Sequence, residues 1–279
     1  MPIAKGSKSD YEEVNGVRLY YEIGGEGSDL VFVHAGCADS RMWDEQFSIF
    51  VDDYRALRYD MRGYGKSSLG PTSFSNRDDL YNLLEILDIQ QAHFVACSMG
   101  SLAVTDFALE HPEKVKSLVL VSPILSGYQY QGLPPQPVLE MIEARKAGKL
   151  EQAAELQAQI WADGPKRISD QSNREVHESV RQMSLDSLRL QADLIRQTTF
   201  LIEEPLNPPA IERLEQIKVP TLVIVGDLDD DSEVEIAEVL TTRIKGAMEV
   251  IIKEGAHLPN MEKPEEFNRV VLDFLNEIN

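Results

Sequence analysis

The chain has 279 residues, of which 27 are Lys or Arg and 47 are Asp or Glu, so its formal net charge is −20 at pH 7. That length buries a core without disulfide or metal staples, and a surface so acidic repels nucleic-acid phosphates and anionic lipid alike. Hydrophobic residues at 43% and charged residues at 27% describe a globular chain rather than a disordered one.

The opening, MPIAKGSKSDYEEVNG, lacks the apolar stretch of a secretion signal. No later run approaches the roughly 20 apolar residues of a membrane helix. Two cysteines, Cys37 and Cys97, are too few for a disulfide framework or a thiolate zinc site. The expected location is the cytoplasm, with both thiols reduced.

Residues 17–23 (VRLYYEI) alternate in polarity and are followed, after a glycine-rich turn, by 29–34 (DLVFVH). Two such runs so close together predict an antiparallel hairpin at a sheet edge. Beyond them, 55–60, 92–97, 117–122, 220–226 and 248–253 are short, nearly continuous apolar runs, the pattern of parallel strands covered on both faces. Between the strands lie helical patterns. Residues 76–88 carry Leu80, Leu83, Leu84 and Leu87 on one stripe, with Ser75 and Asp78 as a capping pair. A second helix spans 99–111 and stops before Pro112, and a third spans 264–278 with Phe267, Val270, Val271, Phe274 and Leu275 at helical spacing. The alternation predicts an α/β fold with a mostly parallel, doubly wound sheet.

Residues 127–210 break the rhythm: they show no strand-like run, are rich in Gln, Glu and Arg, and are bracketed by Pro-rich punctuation at 133–137 and 207–209. They read as a helical insertion, a cap over the carboxyl ends of the strands. The predicted division is therefore a core of 1–126 and 211–279 and a cap of 127–210.

One segment carries chemistry on its face. In His93-Phe94-Val95-Ala96-Cys97-Ser98-Met99-Gly100 an apolar strand runs into serine and then into a helix with almost no loop. This is the geometry of a nucleophile elbow, whose tight turn holds the serine at strained angles and requires small residues two before and two after it. Gly100 meets that requirement, and Ala96 stands where glycine is usual. Cys97 fails as an alternative nucleophile, because Val95 and Met99 would then fill the crowded positions.

At this point the chain resembles the α/β-hydrolase superfamily over nearly its whole length. The resemblance implies a sheet of about eight strands and the chain order nucleophile, acid, histidine. Gly226-Asp227-Leu228-Asp229 matches the acid-bearing strand end and puts the acid at Asp229, ahead of Asp227, Asp230 and Asp231. Glu254-Gly255-Ala256-His257 matches the histidine loop. Val33-His34-Ala35-Gly36-Cys37 is similar to the family's oxyanion loop, which assigns the oxyanion donors to the backbone N–H groups of Gly36 and Met99 and a supporting role to His34. Asp60-Met61-Arg62-Gly63-Tyr64-Gly65-Lys66-Ser67 resembles a stretch that shapes a turn and marks the fold rather than the chemistry. His93, His111 and His177 read as structural or surface residues.

The residue types suit acyl transfer. A serine hydroxyl needs an imidazole to take its proton, and the imidazole needs a carboxylate to fix its tautomer. The expectation is a cofactor-independent serine hydrolase of small esters or lactones, without a metal, closest to capped esterases and enol-lactone hydrolases. Cys37, Tyr128, Tyr130, Trp161 and Met183 are candidates for the pocket, although packing between cap helices would also account for the last four. Two alternatives remain open: the same triad serving carbon–carbon hydrolysis, perhydrolysis or lyase chemistry, and a ligand sensor with vestigial turnover. Nothing in the sequence sets the oligomeric state.

Overall fold

The structure is a computed structural model in which residues 6–70, 73–167, 173–193 and 202–278 are described. The strands are β1 (Lys8–Val14), β2 (Val17–Gly24), β3 (Ser28–Val33), β4 (Tyr54–Tyr59), β5 (Ser73–Phe74), β6 (Ala92–Cys97), β7 (Val115–Val121), β8 (Ile202–Glu203), β9 (Thr221–Gly226) and β10 (Met248–Ile252). The helices are α1 (Asp44–Phe50), α2 (Asn76–Ile86), α3 (Met99–Glu110), α4 (Gln136–Lys146), α5 (Leu150–Ala158), α6 (Arg174–Leu190), α7 (Asp231–Arg243), α8 (Pro259–Glu262) and α9 (Pro264–Ile278). Eight strands form one sheet in the order β1-β2-β4-β3-β6-β7-β9-β10. It is parallel from β4 onward and antiparallel at β1–β2 and β2–β4.

The two faces of the sheet follow from strand alternation. Val31, Val33, Phe94, Leu118, Leu120, Val223 and Val225 turn to one side and pack with Leu80 and Leu83 of α2, Val104 and Phe107 of α3, and Ile236 and Leu240 of α7. Leu30, Phe32, Val95, Val119, Leu222 and Ile224 turn to the other, against Phe47 and Phe50 of α1 and Phe267, Val271, Phe274 and Leu275 of α9. Each of those fully buried side chains contributes about 1.5–3 kcal/mol relative to exposure. Among the described residues no helix is long and apolar enough to cross a membrane.

The expected hairpin of 17–23 with 29–34 does not form. β4 lies between β2 and β3, antiparallel to the first and parallel to the second. The glycine-rich connection crosses the start of β4 instead of turning tightly, and Gly25 sits so close to Tyr54 O that a Cβ there would come within 2.2 Å of it. The true hairpin partner of β2 is β1, across Asn15 and Gly16, whose φ values of 47° and 77° belong to the two-residue turn that suits strand twist.

Within 127–210, α4, α5 and α6 build a small core of their own from Met141, Ala144, Ala153, Leu156, Leu185 and Leu188. Residues 159–163 continue α5 as one π-helical turn. The region also holds one strand where none was expected. β8 pairs in parallel with β5 over two residues, too short a run to leave a period in the sequence.

Candidate active site

β6 delivers Ser98 at φ 53° and ψ −115°, and α3 begins at the next residue. A non-glycine residue there is strained, which the surrounding structure must hold in place. The serine occupies the N-cap position of α3 yet makes no side-chain capping bond, so capping does not account for it. Its N–H donates to Val121 O at 2.9 Å and its carbonyl accepts from Ser101 N at 2.8 Å. Gly100 packs so tightly on the end of β3 that a Cβ would lie 2.5 Å from Val33 O and 2.8 Å from His34 O. Ala96, fully buried, takes its one methyl without displacing the turn.

The acid and the histidine arrive on adjacent strand ends. Gly226 closes β9 against the turn after β10, where a Cβ would lie 2.2 Å from Gly255 O and 2.4 Å from Ala256 O. With only glycine fitting, Asp229 reaches His257: Nδ1 donates to Oδ1 at 2.9 Å and to Oδ2 at 3.2 Å, and both residues are 1% exposed. Burial alone would lower the histidine's pKa, but the charge and hydrogen bond of Asp229, with Glu233 and Glu262 nearby, push it up to about 9. The rival acids are occupied elsewhere. Asp227 accepts from Glu254 N, Asp230 caps α7 through Ser232 N, and Asp231 pairs with Lys166.

Nε2 of His257 makes no hydrogen bond among the described residues, and none joins Ser98 Oγ to the ring. The two loops touch through Cys97, whose Sγ lies 3.8 Å from His257 O. Catalytic contacts of this kind commonly tighten only when substrate is bound. Burial raises the Cys97 thiol well above the ordinary range and the Cys37 thiol to about 12, so neither supplies a thiolate.

After β3 the chain forms a loop held by His34. Its Nε2 accepts from Met61 N at 2.9 Å, which leaves Nδ1 to donate to Ala35 O at 2.8 Å. Both nitrogens are committed, and burial lowers the pKa despite Asp60 nearby; the ring is a neutral brace. Gly36 lies directly against Met99, with an added Cβ falling 3.5 Å from Met99 Sδ. Neither Gly36 N nor Met99 N donates to another group among the described residues. Ser184 of α6 donates to Cys37 O at 2.8 Å and so ties the helical layer to this loop.

Other expected residues divide. Trp161 lies over His257, ring centroids 6.4 Å apart at 46°. Tyr128 does not join it: its hydroxyl donates to Glu235 at 2.6 Å, on the exposed side of α7, away from the side that carries Glu233. Met183 is 2% exposed and packs in the core beneath α6. The stretch from Asp60 to Ser67 is structural throughout. Asp60 accepts from Ser40 N and Lys66 N, each at 2.8 Å, Arg62 pairs with Asp79, and Ser67 donates to Asp60 O.

Two acids escaped the sequence reading. Glu233, 8% exposed, offers a carboxylate oxygen within 4.8 Å of ligand atoms of both Asp229 and His257. Those three could in principle hold a cation, but His257 Nδ1 is already committed to Asp229. Glu262 receives Arg167 from the helical layer and accepts from Ala256 N at 2.9 Å; burial lifts its pKa to about 7 against the pull of Arg167. The first stands at the ordinary capping-glutamate position of α7, three after the N-cap Asp230. Nothing in the sequence signalled the second.

A strained serine after a parallel strand and an acid–histidine pair after two later strands of the same sheet are the marks of an α/β hydrolase. The sequence pattern of that fold matches residues 30–264, and the chain belongs to this family. A 3-oxoadipate enol-lactonase of Acinetobacter baylyi is 26% identical over 89% of this chain and 89% of its own length. A 2-hydroxy-6-oxo-6-phenylhexa-2,4-dienoate hydrolase of Comamonas testosteroni is 24% identical over 98% and 96%. Among solved structures, the enol-lactonase of Burkholderia xenovorans LB400 superposes with a TM-score of 0.76, at 26% identity over 96% of this chain and all (100%) of that one.

Proposed function

We propose that this protein is a cofactor-independent serine hydrolase that cleaves small carboxylic esters or lactones through an acyl-enzyme, with residues 127–210 acting as a cap over the site. The observation that carries the reading is the buried Asp229–His257 pair, held after β9 and β10 in the same sheet whose β6 delivers the strained Ser98. Ser98 Oγ attacks the carbonyl carbon while its proton passes to Nε2 of His257. The oxyanion forms against the N–H groups of Gly36 and Met99, where one such donor contributes about 3–4 kcal/mol in comparable enzymes. Collapse breaks the carbon–oxygen bond, and the imidazolium returns its proton to the leaving alkoxide. Water then repeats the sequence with His257 as base, releasing the acid and Ser98. Asp229 fixes the tautomer and stabilises the imidazolium throughout.

Trp161 and Cys37 line the acyl side of the pocket, and the enclosure under α4–α6 favours small substrates. The enol-lactonase relatives support the lactone and ester reading. The test is a panel of short p-nitrophenyl esters and lactones, run on wild type and Ser98→Ala, with mass spectrometry of a fluorophosphonate adduct. Turnover that disappears in the variant, with the label on Ser98, is the expected result. Cleavage of carbon–carbon substrates alone, or tight binding without turnover, would overturn it.

A further inference from the structure

The reaction above leaves one buried ionisable group beside the reacting residues without a task. Glu233 is the third residue of α7, three after the N-cap Asp230, a spacing that normally makes a capping box in which the glutamate turns back to bond the N-cap N–H. Here that N–H is already taken, because Asp230 N donates to Asp229 Oδ1 at 2.9 Å. The Glu233 side chain turns inward instead, and its oxygen comes within 4.8 Å of the ligand atoms of Asp229 and His257. A buried carboxyl with no role in the helix cap is costly unless it serves something else.

Its protonation is set by its burial and its neighbours. Ser232 Oγ lies 2.9 Å from Asp230 Oδ1 and 2.7 Å from Glu233 Oε2, and one hydroxyl proton can serve only one of them. Ser232 N already donates to Asp230 Oδ1 at 3.0 Å, which leaves the hydroxyl proton for Glu233 Oε2. Burial raises the Glu233 pKa and the neighbouring Asp229 charge adds to it, against the pull of His257 and of the Ser232 hydrogen bond, and the net direction is upward. Two carboxyls this close share one negative charge rather than carrying two. Resting on the serine-hydrolase reading, we propose that Glu233 is a positioning residue that forms a second acid for His257: neutral while Asp229 holds the charge, and able to take over charge and imidazole when Asp229 cannot.

The experiment is a double-mutant cycle with Ser98→Ala alongside. Asp229→Asn is expected to keep turnover at least about tenfold above Ser98→Ala, Glu233→Gln alone to cost less than about threefold, and the double variant to fall to the Ser98→Ala level. An equal factor for Glu233→Gln in both backgrounds would overturn the proposal. The second readout is the low-field proton resonance of the His257 Nδ1–H, which needs a carboxylate partner. It is expected to persist in Asp229→Asn and to vanish in the double variant; its absence from a folded Asp229→Asn protein also overturns the assignment. If Ser98→Ala keeps full turnover, the hydrolase reading itself fails, whatever the cycle shows.

Discussion

Two buried histidines end two parts of the same sheet: His34 follows β3 and His257 follows β10. Both are essentially inaccessible, at 0% and 1%, and each has an aspartate close enough to act on it electrostatically, Asp60 and Asp229. They differ in bonding. His34 spends both nitrogens on backbone groups, and burial lowers its pKa. His257 spends only Nδ1, on a carboxylate that raises its pKa to about 9. A histidine near an aspartate is therefore not by itself a base; what separates the two is one uncommitted nitrogen.

The sharpest way to break this comparison is to remove each ring. Ser98→Ala and His257→Ala are each expected to lower kcat on a short p-nitrophenyl ester by at least about 10⁴-fold, and the double variant by no more than either alone, because the residues act as a unit. Equal losses from His34→Ala at unchanged stability would erase the distinction. Next in size is Asp229→Asn, with an expected loss of about 10²–10³-fold in kcat while the melting transition remains cooperative. Asp227→Asn should leave kcat within about threefold of wild type, since its carboxylate meets Glu254 N and the Lys253 ammonium rather than His257.

The pH profile sharpens the contrast further. The base must be neutral to accept the serine proton, so kcat/KM should rise with pH and reach its plateau only above about 9. A profile flat from neutral to alkaline pH would contradict His257 as base. Because its folded pKa is raised, the stability that the pair supplies is complete below the ordinary histidine range and fades as pH rises through about 9. The smallest effects are structural. His34→Ala leaves Met61 N unpaired and should cost about 1–3 kcal/mol in urea unfolding, while the residual turnover keeps the wild-type pH limb. Gly100→Ala, forced against Val33 O and His34 O, should cost about 1–3 kcal/mol by overpacking.

What was legible in the sequence was whatever local covalent geometry enforces. The elbow around Ser98 shows because strand, serine, helix and small flanking residues must follow one another within a few positions. Asp229 shows through its distance from Gly226, which has to be glycine where β9 meets the histidine loop. The pairing of β2 was misread because it depends on β4, some thirty residues later in the chain, whereas the Asn15-Gly16 turn that does make a hairpin lies in a polar stretch with little strand signal. Glu233 was missed because its sequence position is that of an ordinary capping glutamate, and only the prior claim of Asp229 on the Asp230 N–H turns it inward. The direction of Tyr128, whose hydroxyl turns to Glu235, was not legible, since aromatic composition carries no direction.

The bonds from the helical layer to the sheet loops have an evolutionary and engineering consequence. Ser184 holds Cys37 O, Gln191 holds Gly63 O and Arg167 is buried against Glu262, one turn from the histidine loop. A lid grafted here from a relative would bring new specificity only if it also brought those three anchors. Without them the graft would loosen the loop after β3 and the loop that carries His257 together, so a chimera that binds a new ligand well could still leave those loops misplaced.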